Sequence, residues 1–195
     1  MALTLISAPA TTPVSVAEAK THLHITGSDD DAYIGDLVDA ATGYLDGRDG
    51  ALSRALITQT WDYTLTSFPQ MDHIAIPLPP LQSVTSISYY DTNGDSQTFA
   101  SSKYLVDTAS EPGVIHLAYG ESWPATRSRH DAVTIRFIAG YGDASTDIPT
   151  PILQALKLHI AHMYENREPV ISGTIVAQVP MSVEFLLANF RMGKF

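Results

Sequence analysis

Hydrophobic periodicity changes along the chain, and this change limits the possible folds more than any other feature. From Ile34 to Leu45 and from Ile152 to Met163, apolar residues recur three and four positions apart. Between these stretches, from Ile57 to Leu65 and from Val133 to Phe137, they alternate with polar residues. A spacing of three to four predicts a helix with one buried face, and alternation predicts a half-buried strand. The order predicts an α+β fold with an antiparallel β unit inserted into a small helical bundle.

Local signals mark where the helices begin. Ser15–Glu18 reads Ser-Val-Ala-Glu, a capping box in which each side chain can satisfy the backbone of the other. Ser28 is predicted to open a second helix, with Asp29–Asp31 in the first turn at the positive end of the helix dipole. Thr150–Pro151 fits an N-cap followed by proline at the first helical position. The sequence therefore predicts two N-terminal helices and a long C-terminal helix.

The final part of the chain is unusually poor in charge. Residues 169–183 contain no charged side chain and are rich in valine and isoleucine. Such a segment is prone to pair as a strand, and addition to a neighbouring protein would cover it. A short amphipathic element follows, with apolar residues at Val183, Leu186, Leu187 and Phe190. We expect an extended C-terminal tail whose contacts lie on another subunit.

These observations divide the chain into three parts. The predicted helical core consists of residues 1–50 and 148–168. The inserted antiparallel β domain consists of residues 55–141, and the C-terminal tail with its short helix consists of residues 169–195.

Charge and composition exclude several functions. The chain has 11 Lys and Arg against 21 Asp and Glu, a net charge of −10, which argues against a surface that coats duplex DNA. It has no cysteine, which excludes disulfides, cysteine-bound zinc and thiol nucleophiles. No apolar run approaches the roughly 18 residues that a membrane span needs. Only 16% of residues are charged, against about 25% in ordinary domains, which suggests that partners cover part of the surface.

One group of residues could bind a metal ion. His159, His162 and Glu165 are spaced three apart, so a helix places them on one face. The arrangement lacks the spacing of zinc proteases and has no second copy of the kind found in di-iron bundles. Packed or interfacial histidines explain it as well. The chain has no Gly-x-Ser-x-Gly or Gly-Lys-Ser/Thr motif, so we expect a protein without enzymatic activity or cofactor. The alternative is a metal-binding domain or a metal-dependent enzyme domain that uses these three residues.

Several segments, taken together and in order, resemble a known family. They read PVSVAEAKTHLHI, DDDAYIGDLVDAATGYLD, RALITQTWDYTLTSFP, IPLPPLQSVTSISYYDTNGD, VTIRFIAGYGDASTDIPTPILQALKLHIAHMYENRE and LLANFR. This combination is similar to the gp6-like head–tail connector, or adaptor, proteins of tailed phages and of phage-derived gene transfer agents. The likeness spans residues 14 to 191, and no single motif carries it.

The resemblance implies a structural role. It implies a ring of about twelve copies between the portal and the tail of a phage or phage-like particle, assembled in the bacterial cytoplasm, with DNA passing through the centre. The helical core would form the ring wall, and a stopper or tail-terminator protein would bind its other side. The C-terminal segment would bind the portal, through residues Ile175, Val176, Val179, Leu186, Leu187, Phe190 and Arg191.

The most acidic block of the chain lies in residues 28–50. Repeated around a ring, such carboxylates would give an acidic channel to which DNA does not adhere. We therefore expect part of the second helix to line the channel, through Asp29, Asp30, Asp31, Asp36 and Asp39.

Overall fold

The computed structural model describes residues 1–167 and 181–192, and the chain divides into two compact units. A β unit consists of Met1–Pro9 and Thr58–Tyr141, and a helical unit consists of Ala10–Ile57 and the described residues from Gly142 on. Helices and antiparallel sheets occur together, which confirms the predicted α+β class. Within the described part of the chain, no helix is both long and apolar enough to cross a membrane.

The helical unit contains four α-helices. They are α1 (Val16–Leu23), α2 (Asp31–Leu45), α3 (Thr150–Glu165) and α4 (Met181–Leu187). Helix α3 packs against each of the other three. The apolar stripes of the sequence form the core of this unit, with buried side chains at Ile34, Leu37, Val38, Ala41, Leu45, Ile152, Ala155, Leu156 and Ile160.

The helix starts agree only in part with the sequence signals. The Ser15–Glu18 capping box is formed, with the Glu18 amide donating to Ser15 Oγ and the Ser15 amide donating to Glu18 Oε2. The Ser15 amide and the Ser15 hydroxyl both donate to Glu18 Oε2, and these two bonds, the backbone one first, lower the pKa of Glu18. Helix α2 begins at Asp31, later than predicted, because the Asp31 amide first closes a turn on the Ser28 carbonyl.

The β unit contains two antiparallel sheets. The five-stranded sheet has the order β1-β2-β8-β4-β5, and the three-stranded sheet has the order β3-β7-β6. The strands are β1 (Ala2–Ser7), β2 (Gln59–Leu65), β3 (His73–Ala75), β4 (Leu81–Tyr90), β5 (Ser96–Phe99), β6 (Tyr104–Asp107), β7 (Val114–Leu117) and β8 (Val133–Ala139).

Strand β1 differs from the sequence prediction, which places all of residues 1–50 in the helical core. It pairs with β2, with Ala2 opposite Thr64 and Leu5 opposite Trp61. Its partner is distant in sequence, and most of its side chains are exposed, so no local alternation of buried and exposed residues marks it.

An aromatic cluster forms part of the core of the β unit. Trp123 stacks on Phe68 with ring centroids 4.9 Å apart, and its indole nitrogen donates to the Met71 carbonyl at 2.8 Å. Phe99 lies 5.3 Å from Trp123 and 6.1 Å from Tyr104. These rings therefore pack with one another, as is usual for large buried aromatic side chains.

Candidate functional site

The C-terminal helix α4 is fixed to the helical unit. Val183 and Leu187, one turn apart, are fully buried, and α4 packs along α3. The buried Arg54 donates from Nε to the Phe190 carbonyl at 2.6 Å. The Met192 amide donates to the Leu52 carbonyl at 3.1 Å. Residues 181–192 are therefore held by apolar packing and by two backbone carbonyl contacts.

The residues predicted to bind the portal occupy different environments. Leu187 has no exposed surface, so it is unavailable to a partner while α4 remains packed in the helical unit. Leu186 and Phe190 are half-buried, and Arg191 is exposed and forms an ion pair with Glu184. The remaining three predicted residues lie outside the described part of the chain: Ile175, Val176 and Val179.

The sequence prediction of binding residues did not include two exposed apolar residues of α4. Met181 is 87% exposed and Phe185 is 81% exposed. They are four residues apart and share one face of the helix, away from the face that carries Val183 and Leu187. The sequence contains both apolar pairs, Val183 with Leu187 and Met181 with Phe185, on separate faces of one short helix. Tertiary packing determines which pair is buried and which is exposed.

The predicted acidic residues also divide into two groups. Asp29, Asp36 and Asp39 are exposed. Asp31 accepts a hydrogen bond from Lys20 Nζ at 2.5 Å, and this ion pair joins α1 to the start of α2. Asp30, which precedes α2, belongs to a contact with α3.

That contact joins the start of α2 to the end of α3. The Tyr164 hydroxyl donates to Asp30 Oδ2 at 2.5 Å, which raises the pKa of Tyr164. The Arg167 guanidinium lies 3.5 Å from the same oxygen, and it sits 4.6 Å from the Tyr33 ring centroid and 4.9 Å from that of Tyr164. Asp30 therefore has a role in the internal structure of the helical unit.

The candidate metal ligands do not form a metal centre. His159 packs against the Tyr44 ring at 5.1 Å, and its Nδ1 is buried without a hydrogen-bond partner among the described residues. Burial, with a smaller effect of His162, lowers the pKa of His159. Within residues 1–167 and 181–192, no three His, Asp or Glu side chains are grouped closely enough to hold an ion. The geometry favours the reading of His159 as a packed histidine.

Comparison with known structures gives matches over the whole chain. A chain from the neck of an empty gene transfer agent particle, computed with C6 symmetry, aligns with a TM-score of 0.77 and 27% identity, covering 100% of this chain and 97% of the other. A chain from the virion of a native gene transfer agent particle gives a TM-score of 0.77 and 26% identity, with the same coverage. A chain from a native particle neck computed with C12 symmetry shares the fold, with a TM-score of 0.71 at 24% identity and the same coverage.

Comparison with sequence families gives a consistent result. The model of the phage gp6-like head-tail connector protein matches residues 13–111, about half of the chain. A search of curated protein sequences returns no significant match. The family match includes the capping box, α2 and strands β2 to β6. The chain therefore belongs to the gp6-like family of phage head–tail connector proteins.

Proposed function

We propose that this protein is the adaptor subunit of a ring between the portal and the tail of a phage or a phage-like particle. The observation that carries the proposal is the likeness, over the whole chain, to chains of gene transfer agent necks and virions. A ring of about twelve copies would match the C12 symmetry used for one of those necks. Its role is structural rather than catalytic, and assembly takes place in the bacterial cytoplasm.

In this proposal the helical core, predicted from residues 1–50 and 148–168, forms the ring wall, without Met1–Pro9, which belong to the β unit. A closed ring needs two different surfaces on each subunit, because each copy contacts one neighbour on either side. Residues 55–141 form the inserted β domain of each subunit. A stopper or tail-terminator protein binds the side of the ring opposite the portal.

The proposed portal-binding segment is residues 169–195. Its first part is uncharged and rich in branched apolar residues, which suits strand addition or insertion into an apolar groove. Leu187 has an indirect role in this proposal, because it holds α4 on the helical unit. Direct contacts are assigned to Ile175, Val176, Val179, Leu186, Phe190 and Arg191.

The proposed channel surface is the exposed acidic side of α2. The exposure of Asp29, Asp36 and Asp39 supports it, since carboxylates facing a channel would repel DNA phosphates and let DNA pass without binding. Asp30 and Asp31 contribute less to this surface, because each already pairs with a cation of its own chain.

The tail can be tested without removing α4. We expect the triple variant Ile175→Ser, Val176→Ser, Val179→Ser to lose binding to portal-bearing capsids in a co-sedimentation assay, because the apolar contacts are removed. Thermal unfolding should be unchanged, since the buried Val183 and Leu187 remain in place. The control is Leu105→Ser, which removes an exposed apolar residue from β6. Normal capsid binding by the triple variant would contradict the assignment of the tail.

A further inference from the structure

Helix α4 is apolar on two faces. One face is buried in the helical unit through Val183 and Leu187, and the other presents Met181 and Phe185 to solvent. The two side chains lie four residues apart on one face of the helix, and exposed apolar side chains grouped in this way mark surfaces for contact with partners. We call this surface, formed by Met181 and Phe185, the outer face of α4.

The outer face is a fixed feature of the helical unit. The bonds from Arg54 to the Phe190 carbonyl and from the Met192 amide to the Leu52 carbonyl hold the residues that follow α4. Because the inner face is packed as well, little conformational entropy is lost when the outer face binds another protein. Preorganised aromatic anchors of this kind carry a large share of binding energy in protein interfaces.

The charge distribution of the chain suits contact between two copies through this face. Each copy carries a net charge of −10, so copies that meet through their acidic surfaces repel each other. The exposed side of α2, with Asp36 and Asp39, is therefore unsuited to contact with a similar surface on a neighbour. Residues 181–192 contain only two charged side chains, Glu184 and Arg191, and these neutralise each other in an ion pair. The outer face is thus apolar within an electrically neutral segment. Two copies that meet through it bring few like charges together, so the contact adds little repulsion.

We propose that the outer face of α4 packs against a neighbouring copy of this chain. The inference rests on the ring of the proposed function and adds the residues that form one side of its subunit contact. It separates the C-terminal residues by role: Met181 and Phe185 are assigned to the neighbouring copy, and the portal contacts remain those of the proposed function.

The first test compares two double variants of the full chain by sedimentation velocity, alone and bound to portal-bearing capsids. Met181→Gln with Phe185→Gln should weaken association between copies by about tenfold or more, as expected when central apolar anchors are lost. Met71→Gln with Tyr119→Gln is the matched control, because it replaces an exposed methionine and an exposed aromatic residue in the β unit. The control should assemble like the wild type, and both variants should unfold at the wild-type temperature.

The second test identifies the neighbour directly. A photoreactive benzoylphenylalanine replaces Phe185 in the full chain, and crosslinked peptides are identified by mass spectrometry after irradiation of the same samples. Crosslinks between two copies support the proposal. Crosslinks that form only with the portal, or only with residues 168–180 of the same chain, overturn it.

The outcomes also separate this inference from the function on which it rests. A wild-type chain that forms no oligomer, alone or on capsids, contradicts the ring and the inference together. A wild-type chain that assembles while the Met181→Gln, Phe185→Gln variant assembles equally well contradicts only the role of the outer face.

Discussion

At the scale of single residues, two polar side chains of the helical unit serve its internal structure. Asp30 illustrates this, because it accepts a hydrogen bond from Tyr164 and pairs with Arg167, which in turn covers Tyr33. His159 is a second case, since its ring packs on Tyr44 and its Nδ1 is buried. Both residues carry chemistry that the sequence analysis considered for function, and both have structural partners instead.

The half-buried His159 predicts a pH dependence of stability. Its pKa in the folded chain lies below the ordinary value of 6.5, so the folded chain resists protonation where the unfolded chain accepts it. The free energy of unfolding should therefore decrease as the pH falls below about 6.5. The Coulombic effect of neighbouring His162 acts in the same direction and also disfavours a charged His159.

Denaturant titrations at pH 7.5 and pH 5.5 measure this dependence. In His159→Leu, which keeps an apolar side chain of similar size, the difference in unfolding free energy between the two pH values should be smaller than in the wild type. Equal differences in the two proteins would contradict the role given to His159.

At the scale of elements, α4 shows how one short helix can serve both the fold and a partner. A helix of seven residues is too short to be stable alone, so its conformation depends on the packing of Val183 and Leu187 in the helical unit. The same packing sets the direction in which Phe185 points. Fold and proposed interface are therefore linked through the inner face of α4.

This link predicts a large effect on stability for a substitution on the inner face of α4 and a small effect for one on the outer face. Leu187→Ala should lower the free energy of opening of residues 181–192 by about 2–4 kcal/mol, because it leaves a cavity at a fully buried position. Phe185→Ala should change it by less than about 0.5 kcal/mol, because the ring is exposed. Amide hydrogen exchange of the described C-terminal residues measures both values. Similar exchange in the two variants would show that α4 is not packed as described.

At the scale of the whole molecule, net charge sets the conditions for assembly. A chain with a charge of −10 must bring many carboxylates together when copies associate. Apolar contact through the outer face of α4 favours association, and the repulsion between copies opposes it. The balance between the two depends on ionic strength, because salt screens the repulsion and leaves the apolar contact largely intact.

Association between copies should therefore strengthen as salt is raised from about 0.05 M to about 0.3 M, where screening becomes effective within a few ångströms. Sedimentation velocity across this range gives the apparent association constant. Asp36→Asn with Asp39→Asn should reduce the salt dependence, since it removes two exposed charges from each copy. Weaker association at high salt would indicate that opposite charges hold the copies together.

The α+β class, the capping box and the apolar stripes of α2 and α3 could all be predicted from the sequence. Each depends on side chains within one or two turns of one another, so the local pattern contains the information. The C-terminal helix was predicted as an amphipathic element for the same reason. The pattern could not distinguish the apolar pair that is buried from the pair that is exposed.

Only the tertiary structure decided the contacts between distant residues. It placed β1 beside β2, joined Asp30 to Tyr164 across 134 positions, and buried Leu187 while leaving Phe185 in solvent. The physical reason is the same in each case: the free energy of the contact comes from a partner far away in sequence. Local spacing determined which elements this chain forms, and their packing determined which side chains remain available to other proteins.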